Sequence, residues 1–234
     1  MTDAPVTPMI VAIDGPAGSG KSSVSRRVAR ALGFGYLDTG AAYRALAWHA
    51  LQHEIDTSDS VAVLEVAGDF DLGIALDPDD QRVRVGAVDA TEAIRTPDVS
   101  DAVSGVARVP AMRQAINAMF RTLVQDSGRR GVIVEGRDIT TVVFPDAPAR
   151  ILLTAAPEVR AARRAAELSE HDAADIAASM QRRDASDSTV VDFLTAAPGV
   201  TIVDSTDLDL DATVEAVLAV VRATDPQAGA DNGH

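Results

Sequence analysis

Residues 15 to 22 read Gly15-Pro16-Ala17-Gly18-Ser19-Gly20-Lys21-Ser22, a complete G-x-x-x-x-G-K-S run. It follows the apolar stretch Met9 to Ile13 and precedes a helical pattern, the strand–loop–helix setting in which such a loop cradles phosphate. Glycines let backbone N–H groups converge on phosphate oxygens, and the helix adds its positive end. Lys21 would supply a point charge to the β- and γ-phosphates, and the Ser22 hydroxyl a ligand for Mg²⁺. The chain has 21 basic residues, and Lys21 is the one lysine among them. It stands where a compact ammonium, rather than a planar fork, is wanted. Gly15 through Ser22, with Ser23 next in line, are therefore the expected contacts of a nucleoside triphosphate.

A phosphate cradle does not fix the reaction. A GTPase switch needs N-K-x-D and D-x-x-G elements. The asparagines are Asn117 and Asn232, neither precedes a lysine, and no Asp lies three residues before a Gly. A nucleic-acid motor needs more chain or a basic surface. A small-molecule kinase needs a second anion site rich in arginine, because guanidinium forks grip phosphate in pairs of bonds. Such arginines are present. Asp38-Thr39-Gly40-Ala41-Ala42-Tyr43-Arg44 and Glu135-Gly136-Arg137-Asp138 each follow a predicted strand, at the edge where open α/β sheets take ligands. Arg160, Arg163 and Arg164 share one face of a polar helix, and Arg182-Arg183-Asp184 follows. Asp14 or Glu135, at strand ends, would orient waters on the metal.

The elements that must position these residues are legible as short apolar runs between helical patterns. Strands are expected at 9–13, 36–38, 132–135, 150–153 and 201–203, and helices at 22–32, 40–52, 97 onward, 110–125, 157–183 and 211–222. Ser58 is expected to cap a further short helix ending near Gly68. Buried strands alternating with helices predict an α/β fold with a five-stranded parallel sheet covered by helices. Residues 70–76 and 82–88 alternate apolar and polar around Asp77-Pro78-Asp79-Asp80, a hairpin signal carried as an insertion. His49 and His53, four apart on a helix, read as surface histidines. The acidic string Asp204, Asp207, Asp209 and Asp211 reads as helix-start carboxylates.

The chain of 234 residues carries a net charge of −14, which repels polyanions and argues against nucleic acid or anionic membrane as partners. It has no cysteine, so disulfides and thiolate chemistry are excluded. No run approaches the roughly 20 apolar residues that span a bilayer. With no secretion signal visible, a cytoplasmic location is expected, and a monomer.

These residues together resemble the bacterial cytidylate kinase family. The marks are I-D-G-P-A-G-S-G-K-S-S, L-D-T-G-A-A-Y-R, E-A-I-R-T, V-E-G-R-D-I-T-T-V-V-F-P-D-A-P and the R-R-D-x-x-D segment at 182–187, within about residues 9 to 222. The resemblance implies a P-loop nucleoside-monophosphate kinase fold with a small monophosphate-binding insertion and a helical lid. It implies one kinase domain over 1–222, with core 9–59, 96–156 and 184–222, insertion 60–95 and lid 157–183. A disordered tail is expected at 223–234. The implied reaction is transfer of the ATP γ-phosphoryl group to CMP or dCMP with Mg²⁺, in pyrimidine nucleotide metabolism. Carried over by position, Thr39, Arg44, Ser104, Arg113, Arg137, Asp138, Arg183 and Asp187 bind the acceptor. Lys21, Arg137, Asp138, Arg160 and Arg164 serve the transfer, and Ser22 the metal. An Asp138 carboxylate suits the cytosine N4 amino group and opposes a uracil O4. Thr140 and Val190 stand where the family usually has Gly and Arg. Val190 motivates the alternative of a nucleotide-binding sensor module with weak or lost kinase activity.

Overall fold

The computed structural model describes residues 7–167, 173–189 and 192–225. In chain order the elements are β1 (Met9–Asp14), α1 (Lys21–Leu32), β2 (Gly35–Asp38), α2 (Thr39–Gln52), α3 (Ser60–Val66), β3 (Leu72–Ile74), β4 (Val83–Val85) and β5 (Val88–Asp89). They continue with α4 (Pro97–Ala107), α5 (Pro110–Gln125), β6 (Gly131–Gly136), β7 (Ala149–Thr154), α6 (Pro157–Glu167), α7 (Ala173–Ser188), β8 (Thr201–Asp204) and α8 (Leu210–Thr224). The chain divides into two units, Met1–Tyr36 with Gly128–His234, and Leu37–Ser127.

The first unit is built on a five-stranded sheet in the order β2-β6-β1-β7-β8. β1 is parallel to β6 on one side and to β7 on the other. A strand flanked on both sides and covered on both faces must be apolar throughout, which is why Met-Ile-Val-Ala-Ile runs without alternation up to Asp14. α1 and α8 pack on the sheet. Val24, Val28 and Leu32 meet Val214, Val217 and Val221 over Val11, Ile13, Ile133, Ile151 and Leu153. The register sets Asp14 opposite Gly136 on β6 and Leu152 on β7, so the loops leaving β1 and β6 emerge side by side at the carboxyl edge.

In the second unit, α2 starts where the Asp38 side chain accepts from the Ala41 N–H. The three-stranded antiparallel sheet β3-β4-β5 packs through Val83 and Val85 on Ala41, Ala45 and Ile94. The hairpin expected at 70–88 is thus a three-stranded meander. Its second arm breaks at Gly86, whose φ of +57° turns the chain back on itself. The short helix α3 is capped by Asp59, not Ser58: the Asp59 carboxylate accepts from Val61 and Ala62 N–H. Thr96 followed by Pro97 opens α4 as the sequence predicts.

The helical stretch expected at 157–183 is two helices, and the second continues to Ser188. The closing helix runs to Thr224, two residues into the expected tail. The rest of that tail from 226, part of the expected lid at 168–172, and Val190 lie outside the described residues. Asp209 caps α8 by accepting from Ala212 N–H and Asp211 lies in its first turn, whereas Asp204 ends β8 and accepts from Thr206. His49 is buried rather than superficial. Its ring shares a hydrogen bond with the Val66 carbonyl and lies against Phe70, because α3 and the residues after it cover that face of α2.

Candidate active site

The cradle is the loop between β1 and α1. α1 begins at Lys21, whose ammonium donates to the Pro16 carbonyl at 2.9 Å. At Gly18, φ is +73°, and a Cβ there would stand 2.6 Å from the Met180 terminal carbon and 2.7 Å from the Arg160 carbonyl. Only glycine lets the loop run this close to α6 and α7. Ser19 Oγ is buried and has no hydrogen-bond partner among the described residues, an unusual state for a buried hydroxyl that fits a loop shaped for a polar ligand. Ser22 is exposed at the first turn of α1, and Ser23 beside it is half-buried.

Electrostatics make the cradle responsive to charge. Desolvation lowers the Lys21 ammonium from its ordinary 10.5 to about 8. Arg137 lowers it as well, while Glu135, Asp184 and Asp14 oppose the change. Asp14 closes β1 and is buried. Burial holds its carboxyl above the ordinary carboxylate value, against the pull of the Thr140 and Ile139 donors and of Lys21. Glu135, the acid at the end of β6, accepts from the Tyr36 hydroxyl at 2.5 Å.

Arg137 follows β6 and reaches the cradle directly. Its Nη1 donates to the Gly15 carbonyl at 2.8 Å, and its Nε and Nη2 bond Asp187 at 3.1 Å. Its Nη2 also pairs with Asp184 at 3.1 Å, and its guanidinium lies 4.3 Å over the Phe193 ring. Arg160 on α6 donates to the Ala17 carbonyl at 2.9 Å and to Asp184 at 2.7 Å. Asp184 completes the set by accepting from the Ala17 N–H at 3.2 Å. One carboxylate on α7 therefore holds a cradle amide and two arginines, an arrangement in which positive groups from three segments converge on one anion.

Several expected residues are brought together here: Gly15, Ala17, Lys21, Arg137, Arg160 and Asp187. Asp138 is buried next to Arg137, where a stretch of π-helix, Ile139–Val143, begins. Arg164 lies one turn beyond Arg160 on α6, half-buried. Arg163 turns instead to the loop before α8, donating to Ser205 Oγ, to its carbonyl and to the Leu208 carbonyl, and so serves the fold. Arg183 is on α7, and its side chain is outside the described residues. In the second unit, Thr39 is buried at the start of α2, and Arg44 pairs with Asp38 at 3.1 Å. Ser104 on α4 and Arg113 on α5 are half-buried.

Asp184 was not legible as a site residue. Its three-residue spacing from Asp187 puts both carboxylates on one face of α7, a pattern that a solvated helix face shows equally. Asp14, one of the two acids expected to orient metal-bound water, also has a structural reason for its burial. Its two oxygens accept from three donors of the Ile139–Thr140 segment.

The family model for cytidylate kinase matches residues 11–223. The chain is 47% identical over 220 residues to a cytidylate kinase of Cutibacterium acnes, covering 93% of this chain and 98% of that one. A cytidylate kinase of Streptomyces avermitilis is 43% identical, with 93% and 94% covered. One of Streptomyces coelicolor is 44% identical, with 94% and 95% covered. With a P-loop followed by arginines gathered on its own backbone, and relatives matched nearly end to end, the chain belongs to the cytidylate kinase family.

Proposed function

We propose that the protein transfers the γ-phosphoryl group of ATP to CMP or dCMP, releasing ADP and the nucleoside diphosphate. The observation that carries this reading is Arg137, bonded to the cradle carbonyl of Gly15 and adjacent to the buried Asp138. A guanidinium in that position serves two phosphates, one on each side of the bond being made. In the transfer the bond from the γ-phosphorus to the β,γ-bridging oxygen breaks, and a bond to a CMP phosphate oxygen forms. That oxygen is already anionic at neutral pH, so the protein needs no general base. It must align the two nucleotides, offset their charge and exclude water.

The cradle amides, Lys21 and the small residues Gly15 to Gly20 would hold the triphosphate, with Ser23 flanking. Ser22 offers the hydroxyl for Mg²⁺. No cluster of three His, Asp or Glu suited to a metal exists among the described residues, so most of the ion's ligands would be phosphate oxygens and water. When bound, Mg²⁺ would neutralise charge on the triphosphate. Arg160 and Arg164 would neutralise charge on the moving group. Thr39, Arg44, Ser104, Arg113, Arg183 and Asp187 are assigned to the acceptor nucleotide, with Asp138 accepting from the cytosine amino group. A monomer is proposed as the working unit. A cytoplasmic location is proposed with this function.

Asp138→Ala tests the base reading. A wild-type enzyme loses about 1–3 kcal/mol when a buried acceptor faces the uracil O4 in place of an amino donor. The variant is expected to lose about tenfold or more of the CMP-over-UMP preference in kcat/KM, with KM for ATP within about twofold. Unchanged preference would remove Asp138 from the base site.

A further inference from the structure

The loop after β6 is fastened to the end of β1 at four points. Asp14 Oδ1 accepts from the Ile139 N–H at 2.8 Å. Its Oδ2 accepts from the Thr140 N–H at 2.8 Å and from the Thr140 hydroxyl at 2.6 Å. Gly15, the next residue, accepts from Arg137 through its carbonyl. Asp14 and Thr140 are both buried, 3% and 4% exposed, so these bonds are not exchanged with water. The backbone between them is not regular helix. The carbonyl of Asp138 accepts from both Val142 and Val143, and that of Ile139 accepts from Phe144, the wide spacing of a π-turn. Such turns concentrate where a side chain must be aimed. Without an anchor, the segment carrying Arg137 and Asp138 has few regular hydrogen bonds to fix its direction.

We propose that Asp14 and Thr140 form a clip that aims Arg137 and Asp138 at the acceptor nucleotide, making Thr140 a positioning residue for acceptor binding. The proposal rests on the assignment of Arg137 and Asp138 to the acceptor. The two backbone bonds fix where the segment leaves the sheet. The hydroxyl bond adds what a backbone bond cannot: it locks the side chain of residue 140 onto the same carboxylate and so fixes the rotation of the Ile139–Thr140 peptide. Arg150 donates to the Thr140 carbonyl at 3.4 Å and holds the other side of that residue. The Thr140 hydroxyl bonds Asp14 and no residue of the cradle, so the larger effect is expected on the acceptor.

The test is steady-state kinetics of Thr140→Val and Thr140→Ser beside the wild type, with CMP and ATP varied in turn and thermal midpoints measured in parallel. Valine keeps the shape and loses the hydroxyl, and serine keeps the hydroxyl. Thr140→Val is expected to raise KM for CMP about three- to tenfold, the scale of one lost hydrogen bond, with KM for ATP within about twofold. Thr140→Ser is expected to restore at least half of the loss. Thr140→Ala, which adds no bulk, gives the same reading should valine impair folding. A role in stability alone lowers the amount of active enzyme and the thermal midpoint with both KM values unmoved, and that result overturns the proposal. Equal rises in both KM values, or no rescue by serine, overturn it as well. Absence of CMP-dependent turnover in the wild type is a different result, which removes the acceptor assignment and the clip with it.

Discussion

Lys21 is the residue proposed to carry donor binding, and its protonation can be followed. Its ordinary value of 10.5 applies to the unfolded chain, while burial lowers it to about 8 in the folded one. Between those values the unfolded state binds more protons than the folded state. This group's contribution to stability therefore rises as pH climbs from about 8 to about 10.5. Binding follows the opposite course, because the free enzyme loses the ammonium that meets the phosphates. kcat/KM for ATP, measured at saturating CMP, is expected to fall above about pH 8 with a slope approaching −1. kcat is expected to hold to higher pH, since bound phosphates favour the charged form. A flat kcat/KM profile from pH 7 to 10 would show that Lys21 keeps its proton and that desolvation does not govern it.

At the scale of elements, the cradle is held by glycine where α6 and α7 come close. Gly18→Ala places a methyl at a positive φ and against both Met180 and the Arg160 carbonyl. Backbone strain of this kind costs about 1–3 kcal/mol, and the clash with a backbone carbonyl cannot be relieved by a rotamer change. The variant is expected to lower the thermal midpoint by several degrees and to raise KM for ATP about tenfold or more. A KM for ATP within twofold of the wild type would mean that the loop accommodates a Cβ.

The elements that were legible in the sequence are those with a local cause. The buried strands β1, β6 and β7 read correctly because unbroken apolar runs have few other uses, and α4 because Thr96-Pro97 marks its start. The Arg137 position was legible from its place after β6. Asp184 was not, because its partner Ala17 lies 167 residues away and nothing local to Asp-Ala-Ser-Asp distinguishes a ligand carboxylate from a solvated one. The third strand β5 escaped notice because Gly86 hides a turn inside what looked like one alternating run. His49 was misjudged for a related reason: a helix face is exposed or buried according to what later chain covers it. Arg163 shows the converse, since three arginines at helical spacing look equivalent in sequence and only contacts separate Arg160, on the cradle, from Arg163, on the Ser205 loop.

For the whole molecule, a net charge of −14 sets the problem that the site solves. Both proposed substrates are anions, so the general field of the protein opposes them and local cations must overcome it. Lys21, Arg137 and Arg160 are the cations proposed to meet that need, and Asp184 and Asp187 pair with the two arginines. The family match over residues 11–223 extends through both units, so it includes both the cradle and the residues of 37–127 proposed for the acceptor. The function proposed for this chain is phosphorylation of CMP. The most direct measurement is ADP release by the purified protein with Mg-ATP and, separately, CMP, dCMP, UMP, AMP and shikimate. Rapid turnover with CMP and dCMP, slow turnover with UMP and none above background with AMP or shikimate is the predicted result. ATP binding without acceptor-dependent ADP release, or a preference for an acceptor other than a cytidine monophosphate, would contradict it.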